Sequence, residues 1–129
     1  MRVFKNAWFV RFARKERISD AALCDAVARA EKGLIDADLG GGLLKQRVAR
    51  SGGGKSGGYR TLLFFRAGSR AVFAFGFAKS DRANIDADDE RDFKRTAKLM
   101  LGFADIDMDR LVSMGEFEEV VRHAQAPDV

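Results

Sequence analysis

The sequence predicts an α+β domain in which an antiparallel meander, preceded by an N-terminal strand, carries helices packed on one face of the sheet. Three observations predict it. Strand-like runs follow one another between Leu43 and Lys79 with only turns between them, and amphipathic helical stripes flank that block. With 129 residues, of which 47% are hydrophobic, the chain has the size of one domain, expected over 1–129.

Taken in order, Arg2–Lys5 reads as a short strand, and Trp8, Phe9 and Phe12 follow at helical spacing. Ser19-Asp20 opens a second helix, with a hydroxyl to accept an orphan amide and a carboxylate in the first turn. Leu23, Val27, Ala30 and Leu34 make its apolar stripe, Gly33 marks its end, and Cys24 reads as a small buried hydrophobe. Gly40-Gly41-Gly42 is a break. In the strand Leu43–Arg50 that follows, Leu44, Gln46 and Val48 alternate with Lys45, Arg47 and Ala49, which gives one basic face. The segment 51–58 holds five glycines and one lysine and is expected to be a flexible hairpin connection. Tyr59–Arg66 is a nearly continuous apolar strand. After a turn, Ala71–Lys79 is another, with Phe73, Phe75 and Phe77 expected on one side. Asp86–Glu90 opens a helix bearing Phe93, Ala97, Met100 and Phe103, and a shorter helix spans Asp107–Met114 before Gly115. An acidic helical part covers 83–121, and 122–129 is expected to fray.

Composition narrows the function classes. One Cys excludes a disulfide framework and any multi-Cys zinc site, and one His excludes His-pair chemistry. No run of 18 uncharged apolar residues exists, and the charged N-terminal stretch lacks the apolar core of a signal peptide, so the expectation is a cytoplasmic protein without membrane contact. The net charge of +4 conceals a segregation. Residues 45–82 hold nine bases against one acid, whereas 83–121 hold eleven acids against five bases. A basic middle is the natural seat for a polyanion, unless the acidic segment folds back to cover it.

The run GGGKSGG invites comparison with a phosphate-binding P-loop and fails it. The position that needs the first glycine is Ala49, and the loop leads into a strand rather than a helix. The more specific feature is a constellation. Lys45 and Arg47 project from one strand face, Arg60 opens the neighbouring strand, Lys79 ends the next, and the loop brings Lys55 near. Cations converging on one surface repel one another, so an anion should offset them, and phosphodiesters match in charge and in the bidentate geometry of arginine.

Leu44-Lys45-x-Arg47-Val48-Ala49, the glycine- and lysine-rich loop, Gly57-Gly58-Tyr59-Arg60 and Phe77-Ala78-Lys79 together resemble the RelE/HigB toxins of bacterial type II toxin-antitoxin systems, the HigB-like branch most. That resemblance implies a compact RelE-like fold and endoribonuclease activity on messenger RNA in the ribosomal A site. It implies no cofactor or metal, and an antitoxin partner of helix-turn-helix type. Carried over residue by residue, Lys45 and Arg47 match the basic pair at the scissile region, Arg60 the arginine that stabilises the transition-state phosphate, and Lys79 a basic residue at the end of the last strand. Lys55, Arg50, Tyr59 and Arg82 are assigned to RNA and ribosome binding. The sequence departs from RelE-type members in placing Ser80 after Lys79 and no tyrosine near Ile85–Asp86, with Arg82 as the substitute for the missing arginine. The chemistry needs no histidine: attack of a ribose 2′-hydroxyl on its phosphate requires a base, an acid and charge stabilisation, which lysine and arginine supply. Two other readings are a non-catalytic or degenerate nucleic-acid-binding member of the fold, and a gyrase-directed relative, against which the basic constellation argues.

Overall fold

A computed structural model describes residues 1–49, 58–78 and 85–120. Its elements, in chain order, are β1 (Arg2–Asn6), α1 (Ala7–Glu16), α2 (Asp20–Glu31), β2 (Ala37–Gly40), β3 (Leu43–Val48), β4 (Tyr59–Arg66), β5 (Arg70–Ala78), α3 (Ala87–Gly102), α4 (Asp105–Ser113) and β6 (Phe117–Glu119). The strands form one sheet in the order β2-β3-β4-β5-β1-β6. The meander β3-β4-β5 is antiparallel throughout. β1 joins it in parallel beside β5, with Arg2 opposite Arg70 and Phe4 opposite Val72. The fold class expected from the sequence therefore holds.

The helices, however, cover both faces of the sheet, not one. Leu44, Val48, Leu63 and Phe73 pack with Phe9, Leu23 and Val27 from α1 and α2. On the opposite face, Leu43, Leu62, Phe64 and Val72 pack with Ala97, Leu101 and Met108 from α3 and α4. The cause is legible in β4, where Leu62, Leu63 and Phe64 are consecutive and all buried. A strand apolar on both faces needs cover on both.

A bulge corrects the expected stacking of three phenylalanines. Leu62 pairs with Phe75 but Leu63 pairs with Phe73, so Ala74 is an extra residue in β5. The extra residue reverses the alternation. Phe73 meets Phe9 of α1 at a ring separation of 5.2 Å. Phe75 faces the other way, 5.6 Å from Phe93 of α3. Trp8 wraps the sheet where β1 ends and also touches Phe75, at 4.5 Å.

Helix starts follow the sequence signals. Ser19 Oγ accepts from the Ala22 amide at 3.1 Å, and Asp86 from that of Asp89 at 2.8 Å. Asn6 does the same for α1 through Phe9. α2 stops before Leu34, which is 60% exposed rather than part of the stripe. β2 and β6 were not expected. Four and three residues long, one containing glycine and the other two glutamates, they carry no readable period. Gly40, Gly41 and Gly42 make the β2–β3 turn with φ of 91°, 65° and 86°, a run that residues with a Cβ rarely adopt.

Two arginines dock the C-terminal elements. Arg70, 4% exposed, donates to the carbonyls of Met100 and Phe103 at 2.7 and 2.8 Å and to Asp105 at 2.8 Å, which satisfies the orphan end of α3. Arg2 binds Glu119 and Asp109, and those hydrogen bonds push its guanidinium pKa above the ordinary arginine value. Among the described residues, no helix is long and apolar enough to cross a membrane.

Candidate nucleic-acid interface

Alternation along β3 divides its side chains as the sequence suggests. Leu44, Gln46 and Val48 turn toward α2, while Lys45 and Arg47 turn to the α3 side, half-buried and exposed respectively. Pairing with β4 sets Arg47 directly opposite Arg60, and Phe77 completes that row. Lys45 sits opposite Leu62 in the next row on the same face, diagonal to Arg60 at about 7–8 Å. Three cations thus share two adjacent rows of one sheet face. Like charges directly across a ladder destabilise the pair unless something offsets them.

Backbone packing fixes this placement. A Cβ added at Gly58 would lie 2.8 Å from the Val48 carbonyl oxygen, so only glycine lets β4 close onto β3 just before Arg60. Leu62 and Phe64 then anchor β4 in the core under α3.

Among the described residues, the acidic C-terminal segment makes no ion pair with these cations. Its described ion pairs go to Arg2, to Lys5 through Glu118 at 3.1 Å, to Arg70 through Asp105, and to bases within α3 itself. Among the described residues the Lys45 and Arg47 side chains make no hydrogen bond or ion pair. Among the described residues Arg60 has one ion-pair partner: its Nε lies 3.2 Å from Asp36 Oδ2, with the arginine side chain 12% and the aspartate 28% exposed.

Asp36 comes from the segment joining α2 to β2, and Gln46 fixes it there. Gln46, 1% exposed, accepts from the Asp36 amide at 3.2 Å and donates to the carbonyls of Ala26 and Leu34 at 2.9 and 3.0 Å. A hollow of about 380 Å³ beside Arg47 is lined in part by Asp36, Gln46 and Arg29. Sequence reasoning missed both residues. An amide among the inward side chains of β3 was the readable signal for Gln46, whereas nothing local marks Asp36.

Tyr59 corrects an expectation. It is 2% exposed on the opposite face, edge-on to Phe12 at 5.6 Å, and its hydroxyl donates to Glu16 Oε1 at 2.9 Å. Burial against α1 leaves it no surface for RNA. Arg66 and Arg70, although part of the basic segment, sit at the other end of β4 and β5, about 20 Å along the strand from Arg60. Arg50, Lys55, Lys79 and Arg82 lie outside the described residues, so the constellation can be placed at Lys45, Arg47 and Arg60 only.

Chemically, this face offers two cations that are unpaired among the described residues and one guanidinium paired with Asp36 through its Nε side, which suits a polyanionic backbone. Among curated proteins, no sequence matches the chain. One family model does, that of the RelE toxin of the RelE/RelB toxin-antitoxin system, over residues 1–120. With nearly the whole length matched, the chain belongs to the RelE toxin family.

Proposed function

We propose that the protein is a ribosome-associated endoribonuclease of the HigB-like branch, which halts translation by cutting messages as they are read. In this reading Arg47 and Lys45 hold the backbone phosphates that flank the cut. Arg60 meets the charge that develops on the scissile phosphate when the 2′-hydroxyl attacks it. Lys79 belongs to the same group, with Lys55, Arg50 and Arg82 assigned to RNA or the ribosome. A cognate antitoxin, of helix-turn-helix type, keeps the protein silent in the cytoplasm.

The single observation that carries the reading is the Arg47–Arg60 pair, set face to face beside Lys45, with one carboxylate among the described residues paired to the three cations. A protein with no anionic ligand gains nothing from such a pair. Primer extension on a translated message after induction of the chain alone tests it. Discrete new 5′ ends within the reading frame, with growth arrested, are expected. Intact message with unaffected growth would contradict it.

One observation favours a second reading. The only tyrosine is buried on the wrong face, so no phenol is available to share in proton transfer. A member that binds RNA on the same cations and does not cut it would show salt-dependent RNA affinity with intact message in the same experiment.

A further inference from the structure

We infer that Asp36 is a positioning residue for Arg60: its carboxylate holds the guanidinium at Nε and leaves both terminal amino groups turned to the phosphate. The inference rests on the reading of Lys45, Arg47 and Arg60 as a phosphate-binding face, and it deepens that reading.

Charge gives the first argument. Arg60 stands directly opposite Arg47 and diagonal to Lys45, so repulsion drives its long side chain away from the very place where the charges converge. A flexible arginine would leave. Asp36 prevents this with one oxygen 3.2 Å from Nε, and the side chain is held to 12% exposure.

Geometry gives the second. The terminal nitrogens of Arg60 make no hydrogen bond among the described residues, and the approach to Asp36 is closest at Nε. Those two nitrogens form the edge of the fork that a phosphate accepts side by side. A carboxylate on that edge would block the site, whereas one at Nε steadies it.

The third argument is that Asp36 is itself held. Gln46 bonds its amide and ties the same stretch of chain to α2 through the Ala26 carbonyl and to the Leu34 carbonyl. A buried amide therefore fixes the Asp36 backbone beside β3, and the Asp36 carboxylate fixes the arginine.

Asp36 is also an anion beside a polyanion's seat, so its removal has two opposed consequences. Binding of RNA should stay level or tighten, because a repulsive charge has gone. Cleavage should slow, because Arg60 must be ordered anew at each event. A merely structural ion pair would not divide affinity from rate in this way.

The test uses the full chain with programmed ribosomes that carry a short message, read as single-turnover cleavage, with affinity for the single-stranded message measured separately. Asp36→Ala is expected to cut roughly 10- to 100-fold more slowly, in the range of one charge-assisted contact, at RNA affinity equal to or tighter than the parent's. Asp36→Asn, which keeps the shape, should fall between them and serves if the alanine variant does not fold. In an Arg60→Ala background, Asp36→Ala should cost nothing further, because a residue that acts through another has no effect once that partner is gone. An unchanged rate in Asp36→Ala, or an equal loss in both backgrounds, would overturn the inference while leaving the phosphate-binding reading intact. A parent that cuts nothing, or an Arg60→Ala variant as fast as the parent, would instead overturn that reading and this inference with it.

Discussion

Tyr59 and Arg60 are neighbours in sequence with opposite fates. Strand alternation sends Arg60 to the α3 side and Tyr59 into the core with α1, where its hydroxyl meets Glu16. Removing that hydroxyl should therefore be a stability event only. Tyr59→Phe is expected to lose about 1 kcal/mol in denaturant unfolding and to cut at the parent's rate. A slowed cut at unchanged stability would return Tyr59 to the site. The alternation that separates the pair was legible from the strand pattern, and so were Lys45 and Arg47 on one face. Asp36 was not, because its contact with Arg60 is a product of how the α2–β2 connection crosses the edge of β3. Contacts between segments distant in sequence leave no local period to read.

At the scale of elements, long periodic segments were legible and short or irregular ones were not. All four helices and the meander follow from apolar spacing and caps. The bulge at Ala74 was invisible because every residue from Ala71 to Phe75 is apolar, so either register buries a hydrophobic side chain. β2 and β6 form because neighbouring strand edges offer them partners. Arg70 is the element-scale surprise: a residue of the basic segment that serves α3 and α4 instead of a ligand. Its replacement by methionine leaves the C-terminal carbonyls of α3 without their donor and Asp105 with only the more distant Arg2. Arg70→Met should cost about 2–3 kcal/mol in unfolding free energy, read by denaturant titration. A loss below about 1 kcal/mol would mean that solvent replaces those bonds without penalty.

Across the whole molecule, charge is sorted by position. Acids of the C-terminal part are engaged with Arg2, Lys5 and Arg70 on β1 and β5, while Lys45 and Arg47, on β3 toward the other edge of the sheet, stand unpaired among the described residues. If that end takes an RNA backbone, affinity should fall with salt. Arg47→Gln should flatten the slope of log affinity against log salt by about 0.7, one phosphate contact on a single strand. Substituting exposed Arg91, which pairs with Asp88 on α3, should leave the slope unchanged. The most direct test is the single-turnover cleavage rate of Arg60→Ala, measured beside its melting temperature. Loss of one transition-state contact is expected to slow cleavage about 100- to 1,000-fold, with melting within about 4 °C of the parent and little recovery in Arg60→Lys. Cleavage at the parent's rate by a stably folded Arg60→Ala protein would contradict the assignment of this sheet face to phosphate chemistry.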